Sequence, residues 1–328
     1  MIKWSNVAAL LLLSTIGHGL LSAQDRTCWL RGGVSPAPSL VYLLCEQGAF
    51  LVTTDAGATW STREIKNGHL RNIDFIDPNH GFAVGDNGLL LATADGGKTW
   101  EPRKTGLKEN LAAIRFVGQS GWAAGYDGVI IHSSDGGTTW APQETHTKES
   151  LEGIFFLDAD RGWAVGWAGL ILRTTDGGKN WHQVKSDAAQ WSLSSVRFRD
   201  AANGWIVGFG GTILRSRDGG ATWAALPSPT KTWLSAIAFD GKNRGWIAAD
   251  NSILVSEDGG ESWKSIPVAD MIFVSQLVPV NGSFWAIGQL GVLKQTDGLK
   301  WKRLANLVVD DPSKDTGASP TSTAGKPN

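Results

Sequence analysis

The chain has 328 residues, 41 of them glycine and 17 tryptophan, and a formal net charge of −1. That near-neutral balance argues against a nucleic-acid binder held by bulk charge. The length suits one large all-β domain and does not force a second.

Met1 to Ala23 carries Lys3, an apolar run from Val7 to Leu13, and Leu21-Ser22-Ala23 in the pattern of a cleavage site. This predicts a secretory signal removed before folding. No later stretch approaches the apolar length needed to cross a membrane. Cys28 follows Asp25-Arg26-Thr27, which is neither small nor apolar, so a lipid-anchored cysteine is disfavoured. Export permits a Cys28–Cys45 disulfide that would pin the N-terminal segment to the first repeat; two free thiols are the alternative.

From Tyr42 to Trp301 the sequence spells one unit seven times. Its clearest copy is Gly162-Trp-Ala-Val-Gly-Trp-Ala-Gly-Leu-Ile-Leu-Arg-Thr-Thr-Asp-Gly-Gly-Lys-Asn-Trp181. The copies end in Asp55 to Trp60, Asp95 to Trp100, Asp135 to Trp140, Asp176 to Trp181, Asp218 to Trp223, Asp258 to Trp263 and Asp297 to Trp301. Successive terminal tryptophans lie 40, 40, 41, 42, 40 and 38 residues apart. A period of about 40 residues with several short extended runs is the signature of a propeller blade.

The second unit shows the runs: Leu70 to Phe75, Phe82 to Gly85, Gly88 to Thr93, and the polar residues after Trp100. Asp77-Pro78-Asn79-His80-Gly81, Asp86-Asn87-Gly88 and Asp95-Gly96-Gly97 supply the turns between them. The predicted fold is therefore an all-β, seven-bladed propeller with four antiparallel strands per blade and Asp-box turns between the third and fourth strands. In each box the Asp can accept backbone N–H bonds from its own turn, the glycines can take positive φ, and the Trp can bury its ring while its indole N–H finds a partner. Ser or Thr stands two residues before the Asp in six copies; Gln295 breaks that pattern, and the seventh box is one residue short. After Trp301 the Ser/Thr/Pro/Gly/Lys composition to Asn328 predicts a disordered tail. The expected organisation is a leader at 1–23, the propeller at 24–304 and the tail at 305–328.

Strand direction sorts the turns by face. The Asp boxes share one side, and the second-to-third turns and inter-blade connections share the other. The residue four past the recurring aromatic on that second side is Glu46, Asp86, Tyr126, Trp167, Phe209, Asp250 and Gln289. Such variation on one rim is where function is expected on a uniform scaffold. Most tryptophans fall at the two repeat positions, which leaves Trp167, Trp191 and Trp233 as candidates for exposed contact.

The run Gly-Trp-Ala-Val-Gly-x-x-Gly-x-Ile/Leu-Leu-x-Thr-x-Asp-Gly-Gly-x-x-Trp resembles the photosystem II stability/assembly factor family of Asp-box propellers, over nearly all of Tyr42 to Trp301. The resemblance implies a non-enzymatic, lumen-facing assembly factor that binds newly made reaction-centre subunits. It also implies an arginine-rich partner surface, for which Arg173, Arg197, Arg199, Arg215 and Arg217 are the candidates. Arginines suit a bidentate grip on a partner's carboxylates; the plainer reading pairs them with acids such as Asp200 and Asp218 on an outer face. The runner-up function is recognition of extracellular glycan or peptide through Tyr126, Trp167 and Phe209. A sialidase-like hydrolase needs a tyrosine nucleophile backed by a Glu. Only Tyr42 and Tyr126 are present; Tyr42 replaces a repeat aromatic, and Tyr126 has Asp127 beside it and Arg115 as a possible neighbour, with no Glu to nominate. The six histidines lack paired metal-ligand spacing and the Asp-Gly turns lack the further acids of a calcium loop, so no metal or cofactor is expected. The expected state is an exported monomer with a protein partner.

Overall fold

The computed structural model describes residues 30–304 apart from 46–47, 66–67, 187–188, 269–272, 289–290 and 298–299. The leader at 1–23, Cys28, Glu46, Gln289 and the tail at 305–328 lie outside the described residues. The described chain forms seven antiparallel sheets of four strands, each a meander in sequence order. Blade one spans Leu30 to Glu64; the inner strands of the other six are Leu70–Phe75, Leu111–Val117, Leu151–Phe156, Leu193–Phe198, Leu234–Phe239 and Val274–Val280. Neighbouring inner strands pack in succession and the seventh packs on the first, which closes a ring around a central channel. Among the described residues no helix is long and apolar enough to cross a membrane.

Among the described residues each blade takes its four strands from one continuous stretch of chain, and no exchanged strand fastens the ring. Side chains fasten it instead. The Gly33 amide donates to Gln276 Oε1 at 2.6 Å, and Val41, Leu43 and Leu51 share a core with Val278, Trp285 and Ile287. Cys45 in the same core is disulfide-bonded.

The Asp boxes have the local geometry that their residue types dictate. In blade four, Thr174 Oγ1 donates to Asp176 Oδ1 at 2.8 Å and accepts the Gly178 amide at 2.9 Å. Asp176 in turn accepts the Asn180 amide and side chain at 2.9 and 2.7 Å. The same bonds recur at Asp55, Asp95, Asp135, Asp218 and Asp258. The side-chain and backbone bonds from the residue four places on hold Asp55, Asp135 and Asp176 down at about 2. At Asp218 and Asp258 desolvation pushes upward, yet the same bonds win and bring both to about 2; Asp95 is lowered further.

Carboxylates that bind protons more weakly folded than unfolded stabilise the fold above their unfolded pKa of about 3.9, and that contribution is lost as pH falls through the folded value. The urea midpoint is therefore expected to stay level above about pH 5 and to fall steadily between about pH 4 and 2. A midpoint unchanged across that window contradicts the role given to the boxes.

One sequence expectation needs correction. Among the box tryptophans, Trp140 donates to Gly137 O at 3.1 Å and Trp181 to Gln143 Oε1 at 3.1 Å. The indole nitrogens of Trp100, Trp223, Trp263 and Trp301 are buried without a hydrogen-bond partner. Apart from Trp301, these rings serve packing first, because they stand edge-on to a phenylalanine of the inner strand. Trp100, Trp140, Trp181 and Trp223 meet Phe75, Phe116, Phe156 and Phe198 at interplanar angles of 86°, 89°, 89° and 81°. The other face of that phenylalanine receives the recurring aromatic of the preceding blade: Trp122 on Phe156 at 3.6 Å, Trp163 on Phe198 at 3.7 Å, Trp205 on Phe239 at 4.4 Å. From blade one through blade six, each blade is thus joined to the next by a three-ring stack; Trp246 meets Phe284 and Trp285 meets Trp60 at the two remaining junctions.

Candidate functional site

The face opposite the Asp boxes carries short 3-10 turns at Asp86–Gly88, Tyr126–Gly128, Trp167–Gly169 and Phe209–Gly211. Their middle residues, Asn87, Asp127, Ala168 and Gly210, take φ of 55°, 55°, 52° and 69°, which lifts the first residue of each turn to the surface. Trp167 and Phe209 are 48% and 49% exposed, and Trp191 and Trp233 from the inter-blade connections are 54% and 43% exposed. Their rings form two runs that together make an arc on this face. Tyr126 lies 6.3 Å from Trp167; in the second run Trp191, Phe209, Trp233 and Phe273 succeed one another at 5.9, 6.4 and 5.9 Å. Phe273 has a φ of 62°, a conformation that a bulky residue holds only at a cost. Its amide donates to Asp250 O at 2.8 Å, which fixes the ring at the end of the arc.

What supports the arc is a feature the sequence did not show. In all seven blades the inner strand carries a β-bulge at its second residue: Arg31, Arg71, Ala112, Glu152, Ser194, Ser235 and Ser275. A bulge re-aims a side chain out of the regular alternation. Here it forms a ring of side chains around the channel mouth, and several hold the aromatics. Glu152 Oε1 accepts the Trp167 indole N–H at 2.7 Å, and Ser194 Oγ accepts that of Trp233 at 2.6 Å. Arg71 pairs with Asp86, donates to the Tyr126 hydroxyl at 3.1 Å and lies 5.1 Å from the Tyr126 ring centre.

Below the mouth, the channel has a volume of about 880 Å³ and is lined by side chains that include Asp74, Arg115, Phe155 and Arg197. Desolvation pushes the Asp74 carboxyl up against the opposing pull of Arg115. Among the described residues no group of three or more His, Cys, Asp or Glu is placed to hold a metal ion.

The five candidate arginines do not form one surface. Arg197 and Arg199 both line the channel, and Arg199 together with Arg173, Arg215 and Arg217 reaches into the next blade. Arg173 Nε donates to Gly219 O at 2.8 Å. Arg199 donates to Asn243 and to Gly259 O, and Arg215 and Arg217 converge on Glu261. Arg215 is buried, 4.0 Å from the Trp205 ring centre. The acids expected to pair with them are otherwise engaged, Asp200 by Asn203 and Asp218 by Thr222. Four of the arginines therefore act as clamps between blades, Arg173 and Arg199 through box glycine carbonyls and Arg215 and Arg217 through the Glu261 carboxylate.

The residues weighed for hydrolysis are also placed differently. Arg115 does not approach Tyr126; its Nη1 lies 3.7 Å from Asp74 Oδ2 and its guanidinium 5.9 Å from the Phe155 ring. The cation beside the Tyr126 hydroxyl is Arg71. Tyr42 is fully buried and donates to Gly96 O.

The model of the family described as Photosynthesis system II assembly factor YCF48 matches residues 65–149, 138–231 and 188–279, which together run through more than half of the chain. The chain belongs to this family. A solved structure of YCF48 bound to D1 peptide superposes with a TM-score of 0.69 at 20% identity, covering 83% of this chain and 93% of that one. YCF48 from Cyanidioschyzon merolae gives 0.60 at 25% identity, covering 75% and 86%. A GH74 enzyme from Niastella koreensis gives 0.67 at 13% identity, and this chain spans about half of it, 54%. At such distances the glycosidase and the peptide complex share the fold and nothing more is drawn from the likeness itself. No curated protein matches the chain.

In this YCF48-family propeller the two faces are unequal. On the Asp-box face the box carboxylates are engaged in their own turns and Arg173, Arg199, Arg215 and Arg217 in clamps. The opposite face presents a curved row of exposed rings around a polar mouth.

Proposed function

We propose that this YCF48-family chain is a non-enzymatic scaffold that holds a segment of a membrane-complex subunit during assembly, with a photosystem II reaction-centre subunit such as D1 as the partner. Membership of an assembly-factor family and the D1 peptide in a related structure support the reading. The observation that carries it is the aromatic arc, since exposed rings held by hydrogen bonds to their indole nitrogens are preorganised anchors for a chain laid across them. Export to a lumen or periplasm belongs to the same reading and rests on the leader sequence.

Fluorescence anisotropy with labelled D1-derived peptides tests it. Trp167→Ala and Trp233→Ala are each expected to weaken binding by about ten- to thirtyfold, as hot-spot truncations do. Arg217→Ala, which removes an exposed clamp on the other face, is expected to leave affinity within about twofold. Undiminished binding by both tryptophan variants removes the rim from the proposal. A second reading, glycan recognition on the same rings, is favoured by the exposure of Trp167, Trp191, Phe209 and Trp233 on one face; glycan-array binding lost in Trp167→Ala, with no peptide binding, would select it.

A further inference from the structure

Within the channel, Phe155 of blade four has guanidinium groups near its ring from both neighbouring blades, Arg115 at 5.9 Å and Arg197 at 5.3 Å. The charges there do not cancel. Asp74 is the carboxylate of this cluster, and it is already engaged: Oδ2 accepts the Phe116 amide at 2.8 Å and lies 3.7 Å from Arg115 Nη1. Arg197 makes no hydrogen bond or ion pair with any described residue.

A guanidinium carries five N–H donors, and those of half-buried Arg197 open into the channel, where a ligand can reach them. Burial lowers Arg197 to about 10, with Arg115 adding to the fall and Asp74 opposing it. An arginine kept cationic but unpaired within a ring of inner strands is a receptor for negative charge.

We infer that the Arg115–Phe155–Arg197 waist binds a carboxylate group, with Arg197 as the main donor and Phe155 as the apolar wall. The channel volume of about 880 Å³ leaves room for the body of the ligand, within the roughly 300–1,000 Å³ of small-molecule sites. The same chemistry can arrive as a free small acid or as the carboxylate of a polypeptide. The inference is independent of the aromatic rim.

Isothermal titration of the folded protein at constant ionic strength distinguishes the sources. The probes are acetate, succinate, and a short peptide with a free C-terminal carboxylate beside its C-terminal amide. Saturable binding of succinate or acetate marks a free acid as the ligand; binding of the peptide acid but not its amide marks a polypeptide. Arg197→Gln is expected to weaken the bound probe about tenfold. Asp74→Asn keeps an acceptor for the Phe116 amide and removes the competing charge, so it is expected to tighten binding several-fold. Trp167→Ala is expected to change neither. If no probe saturates, or Arg197→Gln binds like the parent chain, the inference is overturned. Should Arg197→Gln fail to fold, Asp74→Asn decides: unchanged or weaker binding overturns it.

Discussion

Trp205→Ala is expected to lower stability by about 3–5 kcal/mol, the range for large-to-small changes of a buried aromatic. Trp205 is fully buried, and it joins three elements at once. Its ring stacks on Phe239 of the next blade at 4.4 Å, its indole N–H donates to Gly260 O at 2.9 Å, and the Arg199 and Arg215 guanidiniums lie 5.4 and 4.0 Å from its centre. Removing it opens a cavity, strands a carbonyl of the blade-six box and leaves buried Arg215 without its aromatic partner. Since domains of this kind are stable by only about 5–15 kcal/mol, one such change takes a large share of the total. The measurement is the urea midpoint at unchanged slope. A loss under about 1 kcal/mol would mean that the blades are not joined through these rings.

The features that could be read from the sequence are those written inside a single unit. The period, the four runs and the box turn each depend on residues within a few positions of one another, so Asp176, Thr174 and Gly178 announce their hydrogen bonds without knowledge of the neighbouring blade. Trp191 and Trp233 stand out for a related reason: they are tryptophans that fall at neither repeat position, and both are exposed. What escaped notice lies between units. The phenylalanines of the three-ring stacks recur 24 or 25 residues before the box tryptophan at Phe75, Phe116, Phe156, Phe198 and Phe239, a signal that was present and could have been counted. The bulge ring left no such trace, because its residues range from Arg71 and Glu152 to Ala112 and Ser194; the backbone fixes the position and leaves its chemistry free. The arginine surface came from the resemblance, and strand alternation says only which side of a sheet a residue faces. It does not say that Arg173 and Arg215 will find the adjoining blade within reach.

Gly260→Ala is expected to cost roughly 3 kcal/mol, from a left-handed backbone that a Cβ disfavours by about 1–2 and an overpacking term of about 1–3. Gly260 has a φ of 89°, and a Cβ there would stand 2.6 Å from Trp205 Nε1 and 2.7 Å from Cε2. Gly118 separates the two terms. Its φ is 58° and nothing lies within 4 Å of the added atom, so Gly118→Ala is expected to cost only the backbone part, about 1 kcal/mol. The clash is with one named ring, and the two large predictions are therefore coupled. In a Trp205→Ala background the methyl of Gly260→Ala occupies space that the indole has left, and its cost is expected to fall toward that of Gly118→Ala. A double-mutant cycle measures that difference directly as an interaction of about 1–2 kcal/mol between adjacent blades. Additivity within about 0.5 kcal/mol would instead assign the glycine to turn geometry alone, and the close approach of box to preceding blade would cease to be the reason this position has no side chain.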